Sequence, residues 1–190
     1  MATKTSELLA TAAPQTVALV RAIGDDQLDL PTPCVDYTVR GLLNHVYDVT
    51  VNFQRLAAGQ ETDWSVKTDH VAGPGWRDRF AAETAQLVVA WDDPASEEGV
   101  VPGMGLPRST VGLMGVVDLV VHGWDLARAT GQPYEPTPES IGALHGFMDA
   151  MGPTGRQMGA FGPEVPVDAD ATELDRLLGR TGRDPAWRAA

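Results

Sequence analysis

The segment Val116-Val117-Asp118-Leu119-Val120-Val121-His122-Gly123-Trp124-Asp125-Leu126 places a carboxylate and an imidazole four residues apart inside an otherwise apolar stretch. On a helix, His122 lies about 40° round from Asp118 and Asp125 about 20° to the other side, so three ionisable groups share one narrow stripe. Met114, Val121 and Ala129 fall on the same stripe, which reads as core-facing. A carboxylate buried without a partner is costly, so each group needs a hydrogen bond, a counter-charge or a metal. The i, i+4 spacing of Asp118 and His122 is also how one helix presents two ligands to one ion.

A third ligand is available on another helix. The chain has four histidines, His45, His70, His122 and His145. His45 follows Leu42 by three residues and directly precedes Val46, at the margin of an apolar helical stripe, and from there it can join Asp118 and His122. Two imidazoles and one carboxylate, with the fourth position left to water, form the pattern of a catalytic rather than a structural zinc site. A divalent cation there lowers the pKa of bound water or of a bound thiol and yields a nucleophile near neutral pH. Imidazole with carboxylate suits zinc first, and nickel, iron or manganese as well. The same trio can instead hydrogen-bond internally as a polar core network, and spacing alone leaves both readings open.

Several neighbours have two roles open to them. Asp125 is expected to orient a histidine or to pair with an arginine such as Arg128. Asp48, three residues after His45, is expected to be solvated or to support that histidine. Trp124 is a core anchor able to wall a pocket. Cys34 is either a small buried residue or a thiol at the mouth of the site, and no adjacent cation in the sequence depresses its pKa. His70, in a polar loop, is expected to be exposed, and His145 to be a satisfied histidine outside the site.

These side chains must be positioned by helices. Apolar periodicity and capping residues predict helices over 6–23 (kinked or delayed by Pro14), 38–59, 76–91, 109–130 and 137–151. Thr38 and Thr137 serve as N-caps, and Gly59 and Gly131 as C-terminal stops. The loop over 92–107 is long enough to be functional and to line a pocket. Residues 152–190 form a Pro/Gly-rich extension with a short helix near 172–178 and at most a short strand over 165–167. The expected architecture is all-α, an up-and-down style bundle of four helices with extra short helices. A single domain over 1–190 is expected, with its core at about 5–151.

Composition narrows the function. With 190 residues and 43% hydrophobic content, the chain can fill one core. A net charge of -12 and a pI of about 4.6 repel nucleic acid and anionic membranes, and no Lys/Arg cluster offsets them. The single cysteine precludes an internal disulfide and fits a reducing compartment. The N-terminus lacks the plan of a signal peptide, and Asp118 interrupts the longest apolar run, over 111–121. The expectation is a cytoplasmic protein with a small-molecule partner. A homodimer is compatible with such bundles, although nothing in the chain specifies one.

The stretch Thr32-Pro33-Cys34-Val35-Asp36-Tyr37-Thr38-Val39-Arg40-Gly41-Leu42-Leu43-Asn44-His45 resembles the approach to the first metal histidine in the mycothiol-dependent maleylpyruvate isomerase-like metal-binding family, among the DinB-like four-helix bundles. The run from Asp118 to Ala127 is similar to that family's second motif, and 175–185 to the tail common in actinobacterial members. The resemblance spans nearly the whole chain. It implies a DinB-like four-helix bundle, a metal triad of His45, Asp118 and His122 facing an open pocket, and mycothiol or a similar low-molecular-weight thiol as co-substrate. Asp118 stands where the isomerase has glutamate, and Tyr37 where tryptophan is usual. The isomerase's further C-terminal domain has no room in 190 residues, so maleylpyruvate isomerisation is not expected. The implied function is a metal-dependent thiol S-transferase or isomerase acting on a small electrophile. The alternatives are a non-enzymatic metal- or ligand-binding module and a purely structural bundle.

Overall fold

The computed structural model describes residues 3–66 and 68–189. Met1 and Ala2 of the N-terminal segment, Lys67 of the polar loop and Ala190 of the C-terminal extension lie outside the described residues. Six α-helices are present among the described residues: α1 (Thr5–Ala22), α2 (Val39–Ala57), α3 (Trp76–Asp92), α4 (Arg108–Thr130), α5 (Pro138–Gln157) and α6 (Glu173–Arg180). Short 3-10 turns lie at Asp25–Gln27 and Pro94–Glu97, the second inside the segment read as an irregular loop. No strand occurs among the described residues. The expected strand at 165–167 is reduced to one bond, from the Val165 N–H to the Gly179 carbonyl at 2.9 Å, and a single bond cannot extend into a ladder.

The capping residues set the boundaries. The Thr38 hydroxyl accepts from the Gly41 N–H at 3.3 Å and starts α2, while Gly131, at φ 71°, takes the left-handed conformation that closes α4. Helix α1 is continuous from Thr5 through Pro14 to Ala22, so the proline does not delay its start. Helix α5 continues to Gln157 rather than stopping near 151, although Pro153 removes one backbone donor. Tertiary contacts hold its last turns. Phe161 packs on the bare Cα of Gly155, and Arg156 donates to the Arg180 carbonyl at 3.1 Å and pairs with Glu164 at 2.9 Å.

Helices α1 and α2 each pack against both α3 and α4, so α1 and α2 occupy one diagonal of the bundle and α3 and α4 the other. Side-chain contacts give the directions. Arg108, at the start of α4, donates to the Leu56 carbonyl at the end of α2, and Phe53 meets Gly115, so α2 and α4 are antiparallel. Thr5 lies beside Gly112 and Thr16 bonds the Leu119 carbonyl, so α1 and α4 are parallel. Tyr47 meets Phe80 and Gln54 meets Glu83, so α2 and α3 are parallel too. The expected up-and-down order, with every neighbouring pair antiparallel, is therefore corrected. A parallel neighbour needs a connection that returns the length of the helix. The segment 58–75 can stretch to about 60 Å, against about 26 Å for the helix it must pass.

Helix α4 sits at the centre, with α5 packed on its outer side and α6 on α5. By length and composition α4 could cross a membrane despite Asp118, which was expected to interrupt it. In fact 78% of its most apolar window is buried inside the bundle, the environment of a core helix. The core runs from Leu8 and Leu9 of α1 through Leu42 and Val46 of α2 and Leu87 of α3 to Leu119 and Leu126 of α4.

Candidate metal centre

The phase of α2, set by its Thr38 cap, places Leu42 and Val46 in the core and His45 on the flank facing α4. Because α2 and α4 are antiparallel, the early turns of α2 meet the middle of α4. There His45 Nε2 lies 3.6 Å from Asp118 Oδ1, and His122 Nε2 lies 3.4 Å from the same oxygen. The two imidazole rings meet edge to face with centroids 5.0 Å apart. All three donor atoms fall within 4.8 Å of one another. A tetrahedral ion with bonds of 2.0–2.1 Å needs its nitrogen and oxygen ligands about 3.3 Å apart, so the spacing fits such an ion with little movement. Tyr37 stacks on His45 at 5.4 Å and limits the swing of its ring.

The other nitrogen of His122 is also fixed. His122 Nδ1 lies 2.9 Å from Asp125 Oδ2, and a neutral imidazole that donates its Nδ1–H there leaves the Nε2 lone pair facing Asp118. Asp125 is fully buried, and its counter-charge is Arg183 rather than the expected Arg128. Arg183 donates from Nη2 to Asp125 Oδ2 at 3.1 Å, from Nε to Oδ1 at 3.4 Å, and from Nη1 to the Thr181 carbonyl at 3.0 Å. Arg128 turns outward to the Pro185 carbonyl at 2.6 Å and covers the Trp124 ring. Arg128 stands at i, i+3 from Asp125 and could have met it, but its guanidinium is taken up by the Pro185 carbonyl and the Trp124 face instead. Arg183 is the member of this cluster that the sequence reading did not name. The signal available was a buried carboxylate in want of a cation, together with the tail motif that contains Arg183.

The electrostatics follow from these contacts. Burial by itself would raise the Asp118 carboxyl, but the facing imidazoles of His122 and His45 bring it down to about 2. Burial opposes charge on His122 as well, yet Asp118 and Asp125 together lift its pKa above the ordinary 6.5. The Arg183 guanidinium resists its own burial through the charge of Asp125.

The remaining candidates separate clearly. Cys34 is half-buried, with its sulfur within 4.8 Å of ligand atoms of His122 and Asp125. Burial pushes its thiol up, and Arg183, a cation that the sequence did not reveal, pulls against that rise. The loop carrying Cys34 is folded back by Thr32, whose hydroxyl donates to the carbonyls of Cys34 and Tyr37 at 2.9 Å. Asp48 turns away from the trio and holds His70 Nε2 at 2.6 Å. His70 is therefore half-buried rather than exposed, because its ring also stacks on Tyr47 at 4.1 Å. Trp124 is buried in the core away from the cavity, since its place on α4 faces Arg128. His145 lies outside the site between the Glu173 carbonyl and Arg180.

Asp118, His122 and Arg183 line a cavity of about 410 Å³ between α4, α5 and the 99–107 loop. Apart from these three and Thr154, its lining consists of apolar side chains and glycines, including Val117, Val121, Phe147 and Phe161. The 99–107 loop contributes Gly103, Met104 and Leu106. On the other side of the cluster, His45 borders a polar cleft with Tyr37, Asn44, Asp48 and Asp69.

This is a helical bundle with two histidines and a carboxylate converging beside an apolar cavity. The chain belongs to the mycothiol maleylpyruvate isomerase N-terminal domain family, whose model matches residues 9–127. That family has the DinB-like helical fold. Two uncharacterized proteins of Mycobacterium tuberculosis, from strains CDC 1551 / Oshkosh and H37Rv, are each 32% identical to the chain over 178 residues, covering 87% of it and 92% of their own length. No solved structure matches the chain.

Proposed function

We propose that this protein is a divalent-metal-dependent enzyme that uses mycothiol or a similar low-molecular-weight thiol for S-transfer to, or isomerisation of, a small electrophile. The observation that carries the reading is the convergence of His45 Nε2, Asp118 Oδ1 and His122 Nε2 from two helices at ligand spacing. Family membership supports the thiol. His45, Asp118 and His122 would hold the ion, with zinc the first choice for this donor set and nickel, iron or manganese next. When bound, such an ion supplies the Lewis acidity that keeps a thiol or a water deprotonated near neutral pH.

The chain's own residues do the rest. Asp125, held by Arg183, accepts a hydrogen bond from the Nδ1–H of His122 and keeps that ring in one tautomer and one orientation. The apolar cavity borders Asp118 and His122 on one side, and the polar cleft at His45, lined by Tyr37, Asn44 and Asp69, has room for a hydroxyl-rich thiol on the other. The first test is elemental analysis of untagged protein purified without chelator. About one equivalent of a transition metal is expected, lost in His45→Ala and in His122→Ala. A screen of thiol and electrophiles should then yield conjugates or isomerised product. Failure to take up zinc, nickel or manganese at all would overturn the reading.

A further inference from the structure

We infer that the partner of the thiol is an uncharged, largely apolar molecule held in the cavity between α4, α5 and the 99–107 loop, and not a dicarboxylate. The inference rests on the proposed function only in treating this cavity as the substrate side of the cluster.

Charge carries the argument. Among the described residues, Asp118, His122 and Arg183 are the only ionisable ones in the lining. Arg183 is itself buried, and its guanidinium is already matched by the two oxygens of Asp125. No cation in the cavity is therefore left over for an incoming carboxylate. With a divalent ion held by the trio, two positive charges face the single negative charge of Asp118, and one thiolate cancels the remainder. A dianion would then enter a site with nothing to neutralise it, inside a chain of net charge -12, and would lose its hydration as well.

Shape and lining agree. A cavity of about 410 Å³ lies within the range of small-molecule sites and accepts on the order of 15 non-hydrogen atoms. Met104, Met114, Met151 and Met158, four of the chain's six methionines, lie along it, and such flexible thioethers repack round varied apolar shapes. Phe147 and Phe161 meet edge to face beside them, at 6.5 Å between centroids. Met158 is 75% exposed and Met104 37%, so apolar surface continues outward to the mouth. A site for an anion would place arginine or lysine there instead.

The test is a fluorescence titration of the full chain with N-phenyl-1-naphthylamine, an uncharged apolar probe, with and without added zinc. Saturable binding is expected in both conditions, with displacement by 1-naphthol and none by maleate or fumarate at about 100-fold higher concentration. Thr154 is exposed at the cavity wall, so Thr154→Trp should fold and should weaken the probe about tenfold by filling the space. Met104→Lys introduces an unmatched cation and should make maleate a measurable competitor. Displacement of the probe by maleate from wild type would overturn the inference. So would probe binding that is untouched by Thr154→Trp. Because one arm is metal-free, failure of this inference leaves the metal analysis standing, and absence of metal uptake leaves the probe result standing.

Discussion

Two histidine–aspartate clusters flank α2, and they differ in a way that separates structure from chemistry. His70 and Asp48 close to 2.6 Å, and the imidazole lies flat on Tyr47. That pair satisfies itself and leaves no gap. His122 and His45 stand 3.4 and 3.6 Å from one oxygen of Asp118, too far for a strong hydrogen bond and close to the separation of ligands on one ion. The looser cluster is also the one with outside support, from Asp125 and Arg183. The tight pair leaves its atoms in contact with each other, whereas the splayed one keeps the spacing that the proposed ion requires.

The comparison is broken most directly by exchanging which histidine is lost. His122→Ala should weaken zinc binding about 1,000-fold, the share of one ligand in a typical site, while His70→Ala should change it less than about twofold. Isothermal titration against a competing chelator reads both, and equal losses would erase the distinction. The next largest effect is on stability. Arg183→Met leaves Asp125 as an uncompensated buried charge and should cost about 3–5 kcal/mol in urea unfolding. Asp125→Asn keeps the shape but withdraws the charge behind His122, and metal affinity should fall about 10–100-fold, again by titration.

The smallest effect is on pH dependence. His122 carries a raised pKa in the metal-free protein, so ion binding must displace its proton. Affinity should therefore climb with pH by up to about tenfold per unit until that raised pKa is passed, then level off. The stability of the metal-free protein should move the other way. Protonated His122 stabilises the fold fully below its unfolded value near 6.5, and that contribution fades as pH rises through the folded value. The Asp118 contribution is present above the unfolded carboxylate range and is lost only as pH falls towards about 2. Chemical denaturation across pH 2 to 9, with and without zinc, checks both signs.

Much of the site was legible from local periodicity. The i, i+4 pairing of Asp118 and His122, and the place of His45 beside Leu42 and Val46, are helix-phase facts, and the antiparallel packing of α2 on α4 brings the three together. What the reading misplaced was non-local. Arg128 is close to Asp125 along the chain but faces elsewhere, while Arg183 arrives from 58 residues away. His70 sits in a polar loop, and only the arrival of that loop on Tyr47 buries it.

The sequence by itself determined where the helices lie to within a turn or two, the threonine caps of α2 and α5, and the stripe that carries the carboxylate and imidazole, because each of these is set within a few turns, and its motifs along the chain marked the family. Only the tertiary structure decided that α1 and α2 lie on a diagonal, that the tail supplies the cation for Asp125, and that α5 and the 99–107 loop enclose an apolar cavity beside the cluster. Those depend on which distant surfaces exclude water together, and burial against a remote partner leaves no period in the chain from which it can be read.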